Sequence, residues 1–137
     1  MNRTKPILIA DDDSDDRELI LSAFTEILPA EKLEIVTDGS EVLNYLDQVT
    51  EENELPGLII LDLNMPLLDG FATLKKLKDS IRYRNIPIII LSTSKNMAEM
   101  NKCLQLGAAD YLTKPNNFTG NLIAARALDS FVGTSYG

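Results

Sequence analysis

The feature of this sequence that most constrains its fold is a set of five short apolar runs. They are rich in Ile, Leu and Val, and most are continuous instead of alternating between apolar and polar residues. Such runs are typical of strands that are covered on both faces in a parallel sheet. The runs are Pro6–Ala10, Leu33–Thr37, Leu58–Leu61, Ile86–Leu91 and Asp110–Thr113.

Longer segments with helical spacing lie between these runs and after the last one. Apolar residues recur three or four positions apart in Leu19–Ile27 and in Val42–Val49. A third helical segment begins near Asp69, a fourth begins near Asn96, and the last covers about 117–131. Strand and helix therefore alternate five times, which predicts right-handed βαβ units in an α/β fold with a doubly wound, five-stranded parallel sheet.

Length and composition indicate one globular domain. The chain has 137 residues, of which 45% are hydrophobic and 25% are charged, and we expect a single domain over 1–137 with its core at about 6–130. No apolar run is long enough to span a bilayer, and the acidic residues begin before a signal peptide's apolar region could form. These features predict a cytoplasmic protein.

The absence of certain residue types excludes several kinds of site. The sequence has one cysteine, Cys103, and no histidine, so an internal disulfide and the usual Cys/His metal or catalytic groups are excluded. Any bound metal must be a hard ion held by oxygen ligands. The net charge of −8 argues against a nucleic-acid-binding surface, because phosphate backbones are bound by clustered Lys and Arg.

Polar residues follow the predicted strands at their carboxyl ends. In open α/β sheets, ligands bind at this edge. Three carboxylates meeting there would repel one another unless a divalent cation such as Mg²⁺ bound them. Asp62 is then suited to attack a phosphoryl group, with Lys114 and Ser92 contacting its oxygens. An isolated acidic run is more often a solvated helix cap, but joint placement at successive strand ends favours a site. The residues are Asp11, Asp12, Asp62, Ser92, Thr93 and Lys114.

Four segments, taken in order, resemble the receiver domain of bacterial response regulators, the phospho-accepting partners of histidine kinases in two-component signalling. They are the acidic pair after the first strand, "LDLNMPLLDG", "ILSTS" and "GAADYLTKP". The resemblance extends from Ile7 to about Leu128 and implies a flavodoxin-like (βα)5 fold with strand order 2-1-3-4-5. The segment "STSKN" and the acidic loop before the third strand are similar to single-domain regulators that serve phytochrome-like or hybrid kinases.

The resemblance implies a phosphorylation site with a Mg²⁺ site beside it. Asp62 corresponds to the phosphorylated residue. Asp11, Asp12 and Asp62, together with the backbone carbonyl of Asn64, correspond to the Mg²⁺ ligands. Arg17 lies five residues after the acidic pair and favours Asp11 and Asp12 as that pair.

The resemblance also implies a switch. Lys114 contacts the phosphoryl group and is followed by Pro115, whose peptide bond is generally cis in the family. Ser92 moves towards the phosphate, and Tyr111 is the aromatic residue that turns inward when it does. Without the resemblance, a half-buried strand aromatic with a solvated hydroxyl is the commoner interpretation of Tyr111.

Two further sets of residues receive structural assignments. Residues 13–16 are expected to begin the first helix and cap its free amides, so only two of the first five aspartates are predicted to do chemistry. Four apolar residues at helical spacing are expected to face the core from the fourth helix, with extension into a partner surface as the alternative. They are Met97, Met100, Cys103 and Leu104.

The function these patterns predict is a receiver that accepts a phosphoryl group on Asp62 from a histidine kinase or a phosphotransfer protein. It then changes its helix 4, strand 5 and helix 5 surface for a downstream protein that the sequence does not identify, and we expect no separate output domain. Dimerisation through that surface stays open. One alternative is an interaction module that ignores phosphorylation. Another is a Mg²⁺-dependent phosphatase, which Asn64 disfavours because it stands where such an enzyme needs a second acid.

Overall fold

Residues 5–134 are described by a computed structural model, with side chains for all of these except 30 and 129–134. Ten regular helices and strands alternate along this part of the chain. They are β1 (Ile7–Ala10), α1 (Ser14–Phe24), β2 (Leu33–Val36), α2 (Gly39–Gln48), β3 (Leu58–Leu61), α3 (Gly70–Asp79), β4 (Ile88–Ser92), α4 (Met97–Gln105), β5 (Asp110–Thr113) and α5 (Phe118–Thr134).

The five strands form one parallel sheet in the order β2-β1-β3-β4-β5. The predicted fold class and strand order are therefore confirmed. In β1, which lies between β2 and β3, Ala10 pairs with Val36 on one side and with Leu61 on the other. Because the strands are parallel and in register, their carboxyl ends lie along one edge of the sheet.

The sheet separates two apolar layers, as its continuous apolar strands predict. Leu8 and Ala10 face the layer beneath α2, α3 and α4, whereas Ile7 and Ile9 face the layer beneath α1 and α5. Burial of large aliphatic side chains on both faces contributes about 1.5–3 kcal/mol for each of them. Helices on the first face contribute Val42, Leu46, Leu74, Leu77 and Cys103, and those on the second contribute Ile20, Ala23, Phe24, Ala125 and Leu128.

Four helices begin with a short polar side chain that caps their free amides. Asp13 accepts hydrogen bonds from the backbone N–H groups of Asp15 and Asp16, at 2.9 and 3.1 Å. Asp38, Asp69 and Asn96 cap α2, α3 and α4 in the same way. Each cap follows a strand, so the positive ends of these helix dipoles lie at the carboxyl edge of the sheet, where they favour anions.

The fourth helix differs from the sequence prediction. Cys103 is buried and Met100 is partly buried, but Met97 is 65% exposed and Leu104 is 42% exposed. Successive residues of an α-helix are rotated by about 100°, so Met97 and Leu104 point about 100–120° away from Cys103. The prediction that all four residues face the core is therefore wrong for Met97 and Leu104.

The loop between β3 and α3 is packed closely against the start of α3. A Cβ atom on Gly70 would lie 2.6 Å from the carbonyl oxygen of Asp62 and 2.7 Å from the Cα of Leu63. The backbone N–H of Gly70 donates to the carbonyl of Leu63 at 3.0 Å. Any larger residue would push α3 away from the backbone that carries Asp62.

Candidate functional site

The carboxyl edge of the sheet brings together the three carboxylates that the sequence singled out. Asp11 and Asp12 follow β1, and Asp62 follows the neighbouring strand β3. One carboxylate oxygen from each residue lies within 4.8 Å of those from the other two. Asp11 and Asp62 are buried, and Asp12 is exposed to solvent.

Lys114 reaches this cluster from the end of β5. Its ammonium nitrogen lies 2.8 Å from Asp11 Oδ2, 2.8 Å from Asp16 Oδ2 and 3.1 Å from Asp62 Oδ2. The ammonium donates hydrogen bonds to Asp16 and Asp62 and forms an ion pair with Asp11. The Lys114 side chain is only 6% exposed, and water therefore screens these ion pairs weakly.

Asp16 is the site residue that the sequence prediction missed. The prediction assigned residues 13–16 to capping, and for Asp13 the structure agrees. Asp16, in the first turn of α1, instead directs its carboxylate at Lys114. The sequence carried no signal for this contact, because the two residues are 98 positions apart and acidic residues are common in first helical turns for another reason.

Backbone groups hold the two buried carboxylates in place. Asp11 Oδ1 accepts from the N–H of Asp13 at 2.9 Å, and Asp62 Oδ1 accepts from the N–H of Asn64 at 3.2 Å. Arg17 donates from Nη1 to the carbonyl of Asp11 at 2.9 Å. Each buried carboxylate therefore has Oδ1 held by the backbone and Oδ2 held by Lys114.

The electrostatics of the cluster follow from burial and from the shared ammonium. Burial raises the pKa of Asp11 and of Asp62, while hydrogen bonds and charge from Lys114 oppose that rise. Burial alone would lower the pKa of Lys114, but hydrogen bonds to Asp11 and Asp16 and the charge of Asp62 raise it above its usual value. The site keeps more negative charge than one ammonium neutralises, and all its donors are oxygens, so the residues fit a hard divalent cation.

The raised pKa values predict that Mg²⁺ binding depends on pH. Protons compete with the cation for Asp11 and Asp62, and a raised pKa extends this competition above the usual carboxyl value of 3.8. As the pH falls, the dissociation constant for Mg²⁺ should therefore begin to rise while the pH is still above the usual carboxyl pKa. Calorimetric titration with Mg²⁺ at several pH values measures this change. A dissociation constant that stayed flat until pH approached 3.8 would contradict the raised values.

Ser92 and Tyr111 are linked through the segment that follows β4. Ser92 is buried, and its Oγ accepts from the N–H of Ser94 at 3.1 Å. Tyr111 is 7% exposed, and its hydroxyl donates to the carbonyl of Ser94 at 2.8 Å. The alternative of a solvated hydroxyl is therefore wrong. The Tyr111 side chain is therefore buried in this conformation.

The peptide bond before Pro115 is trans, since the described residues contain no cis peptide bond. The cis bond that the resemblance implied is therefore not found. The energies of the two forms of such a bond differ by only about 0.5–1 kcal/mol.

The family of the chain is shown by comparison with known proteins. The sequence model of one protein family, the response regulator receiver domain, matches residues 7–125 of this chain. The chain belongs to the response regulator receiver domain family. Receiver domains of this family are parts of two-component response regulators, so the resemblance predicted from the sequence is confirmed.

Two relatives show how far the similarity extends. Rcp1 from Synechocystis sp. is 32% identical over 132 residues, covering 95% of this chain and 90% of Rcp1. The crystal structure of its Mn(2+)-bound form superimposes with a TM-score of 0.78 over 93% of both chains. The phosphorylated cyanobacterial phytochrome response regulator RcpA also gives a TM-score of 0.78, at 32% identity and 93% coverage of both chains.

A similar plant regulator is longer than this chain. The two-component response regulator ARR5 from Arabidopsis thaliana is 33% identical over 116 residues, which are 80% of this chain. The matched part is 62% of the length of ARR5. Within residues 5–134, the structure contains no helix long and apolar enough to cross a membrane.

Proposed function

We propose that Asp62 accepts a phosphoryl group from a histidine kinase or a histidine phosphotransfer protein in a Mg²⁺-dependent reaction, and that residues 1–137 act as one receiver domain with its core at about 6–130. The observation that carries this proposal is the position of Asp62. Its buried carboxylate lies 3.1 Å from the Lys114 ammonium and within 4.8 Å of two further carboxylates. The phosphorylated form of the similar protein RcpA supports it.

The proposed transfer forms one bond and breaks one bond. A carboxylate oxygen of Asp62 bonds to phosphorus, the bond between phosphorus and the donor's imidazole nitrogen breaks, and that nitrogen keeps the electron pair. Lys114 donates to a phosphoryl oxygen, and charge-assisted donors of this kind stabilise the negative charge. Ser92 accepts from Ser94 at its Oγ, and its own hydroxyl hydrogen is suited to donate to a second phosphoryl oxygen.

Asp11, Asp12, Asp62 and the backbone carbonyl of Asn64 are the residues that would hold Mg²⁺. When bound, the ion neutralises charge on the phosphoryl oxygens. The three carboxylates are close enough together to share one cation, and the Mn(2+)-bound form of Rcp1 supports a divalent ion in this family.

We propose that the surface formed by α4, β5 and α5 transmits the signal to a downstream protein. It exposes large apolar side chains, namely Met97, Leu104 and Ile123. The hydrogen bond from Tyr111 to Ser94 connects this surface to the segment after Ser92. A phosphoryl group that attracts Ser92 would therefore alter the surface seen by a downstream protein or by a second copy of the chain in a homodimer.

Within this proposal the protein is a regulator that catalyses only its own phosphorylation and dephosphorylation. The phosphatase alternative is disfavoured because Asn64, two residues after Asp62, has an amide where such enzymes need a second acid. The high coverage of the cyanobacterial Rcp1 supports a bacterial source, and we place the protein in the cytoplasm with its kinase.

The test is to incubate the protein with acetyl phosphate and Mg²⁺ and measure its intact mass. The expected result is the addition of one phosphoryl group, which is lost when a chelator removes Mg²⁺. Hydrolysis of many equivalents of a phosphomonoester would favour the phosphatase instead. Protein that stays unlabelled and binds its partner regardless of acetyl phosphate would favour the interaction module.

Two variants separate the metal ligands from the helix cap. Asp12→Ala should reduce Mg²⁺-dependent labelling by at least about 100-fold, because the change removes a proposed ligand. Asp15→Ala should leave labelling intact and cost about 0.3–1 kcal/mol of stability, the usual size of a helix-dipole contribution. Labelling rates and urea unfolding measure the two effects. If both variants labelled equally well, the choice of Asp11 and Asp12 as the acidic pair would be wrong.

A further inference from the structure

Lys114 has one carboxylate partner that is not in the proposed metal site. Asp11 and Asp62 belong to the cluster whose oxygens lie within 4.8 Å of one another, together with Asp12, and Asp16 is not part of that cluster. Asp16 nevertheless pairs with Lys114 at 2.8 Å, as closely as Asp11 does. The Asp16 side chain is 24% exposed, so its ion pair with Lys114 is only partly solvated.

The three carboxylate partners of Lys114 have different roles in the proposed reaction. Asp62 becomes the phosphorylated residue, and Asp11 must turn an oxygen to the divalent cation. Of these three partners, only Asp16 binds neither the phosphoryl group nor the cation in the proposed phosphorylated, metal-loaded protein. We propose that Asp16 is a positioning residue, which holds the Lys114 ammonium while Asp11 and Asp62 change partners. This inference rests on the proposed function, because it assigns a role within the same site.

The need for such a residue follows from the lysine side chain. A lysine ammonium sits on a flexible four-carbon stem, and a displacement of about 1 Å in a reacting group can cost about 100-fold in rate. Without Asp16, the ammonium would have only the carboxylates of Asp11 and Asp62 as partners. It would then compete with the divalent cation for the same oxygens. Asp16 provides a partner that keeps the ammonium in place when those oxygens turn to the cation and to the phosphoryl group.

The position of Asp16 is itself well fixed. Its backbone N–H is held by the cap residue Asp13 at 3.1 Å, and the next residue, Arg17, is anchored to the carbonyl of Asp11 at 2.9 Å. A group built on a rigid helical turn holds its partner more accurately than one on a loop. The first turn of α1 therefore provides the support that the end of β5 needs.

The test compares Asp16→Asn with Asp15→Asn. Both substitutions remove one negative charge from the same helical turn, but Asp15 is exposed and contributes no ion pair to Lys114. Asp16→Asn should raise the dissociation constant for Mg²⁺, measured calorimetrically with the metal alone, and slow labelling by acetyl phosphate at saturating Mg²⁺. Each effect should be roughly tenfold, as for other residues that orient metal ligands. Asp15→Asn should change both by less than about twofold, and Asp16→Glu should recover part of the loss.

A second measurement needs no phosphorylation and is insensitive to a merely structural role. Acetylation of Lys114 by an amine-reactive reagent, followed by mass spectrometry, reports whether its ammonium is held. Wild-type protein should stay protected with and without Mg²⁺, whereas Asp16→Asn should become reactive only when Mg²⁺ is added. Equal protection in both proteins, or faster labelling of Asp16→Asn by acetyl phosphate, would overturn the positioning role. If wild-type protein took no phosphoryl group, the proposed function would fail, while this acetylation result would still decide the role of Asp16.

Discussion

Replacement of Asp62 by asparagine is expected to abolish Mg²⁺-dependent phosphorylation, with a loss of at least about 100-fold, because an uncharged amide does not act as a nucleophile. The substitution keeps the size and shape of the side chain. The buried Oδ1 position, which accepts from the N–H of Asn64, is still filled by an oxygen. Intact-mass measurement after incubation with acetyl phosphate and Mg²⁺ provides the readout.

Asp69→Asn is the matched control for this result. Asp69 lies in the same segment between β3 and α3 and caps α3 by accepting from the N–H of Ala72. Asparagine caps helices as well as aspartate does, so this variant should fold and take up the phosphoryl group normally. Labelling of Asp62→Asn at the rate of the control would show that the acceptor is another residue.

Replacement of Lys114 by alanine is expected to destabilise the metal-free protein by about 3–5 kcal/mol, the usual cost of leaving buried charges without their partner. The reason is that Lys114 is shared by three carboxylates, two of which are buried. The loss should be smaller in the presence of Mg²⁺, because the cation replaces the missing positive charge. Urea unfolding with and without Mg²⁺ measures both effects.

Lys75→Ala serves as the control for the loss of a lysine. Lys75 pairs with Asp79 on the outside of α3, where both side chains are about two-thirds exposed (66% and 68%). An exposed pair of this kind contributes about 0.3–0.5 kcal/mol. If Lys114→Ala cost no more than Lys75→Ala, the buried ion-pair network would not be a determinant of stability.

The parts of the fold that could be predicted from the sequence depend on repeating patterns. The bounds predicted for β3, Leu58–Leu61, and for β5, Asp110–Thr113, match the structure. Continuous apolar strands require cover on both faces, and that requirement alone leaves few topologies. The convergence of Asp11, Asp62 and Lys114 followed from the same reasoning, because parallel strands present their carboxyl ends at one edge.

The parts that could not be predicted depend on where individual side chains point. Helical spacing shows that Met97 and Leu104 share a helix with Cys103, but not how far α4 is rotated about its axis against the sheet. The contact of Asp16 with Lys114 and that of the Tyr111 hydroxyl with Ser94 each join residues from different elements. Such contacts depend on the packing of α1 against α5 and of α4 against β5, which no local pattern encodes.

The ion pair between Asp16 and Lys114 has a consequence for proteolysis, because it makes the site depend on the folded chain. The two residues are 98 positions apart, so the site exists only when the first helix and the last strand are both in place. A ligand that binds only the folded chain stabilises it by about 2.7 kcal/mol at a hundredfold excess over its dissociation constant. Proteases cleave mainly the open forms of a chain, whose population falls as stability rises. Occupancy of the site by a divalent cation would therefore lengthen the lifetime of the protein as well as prepare it for phosphorylation.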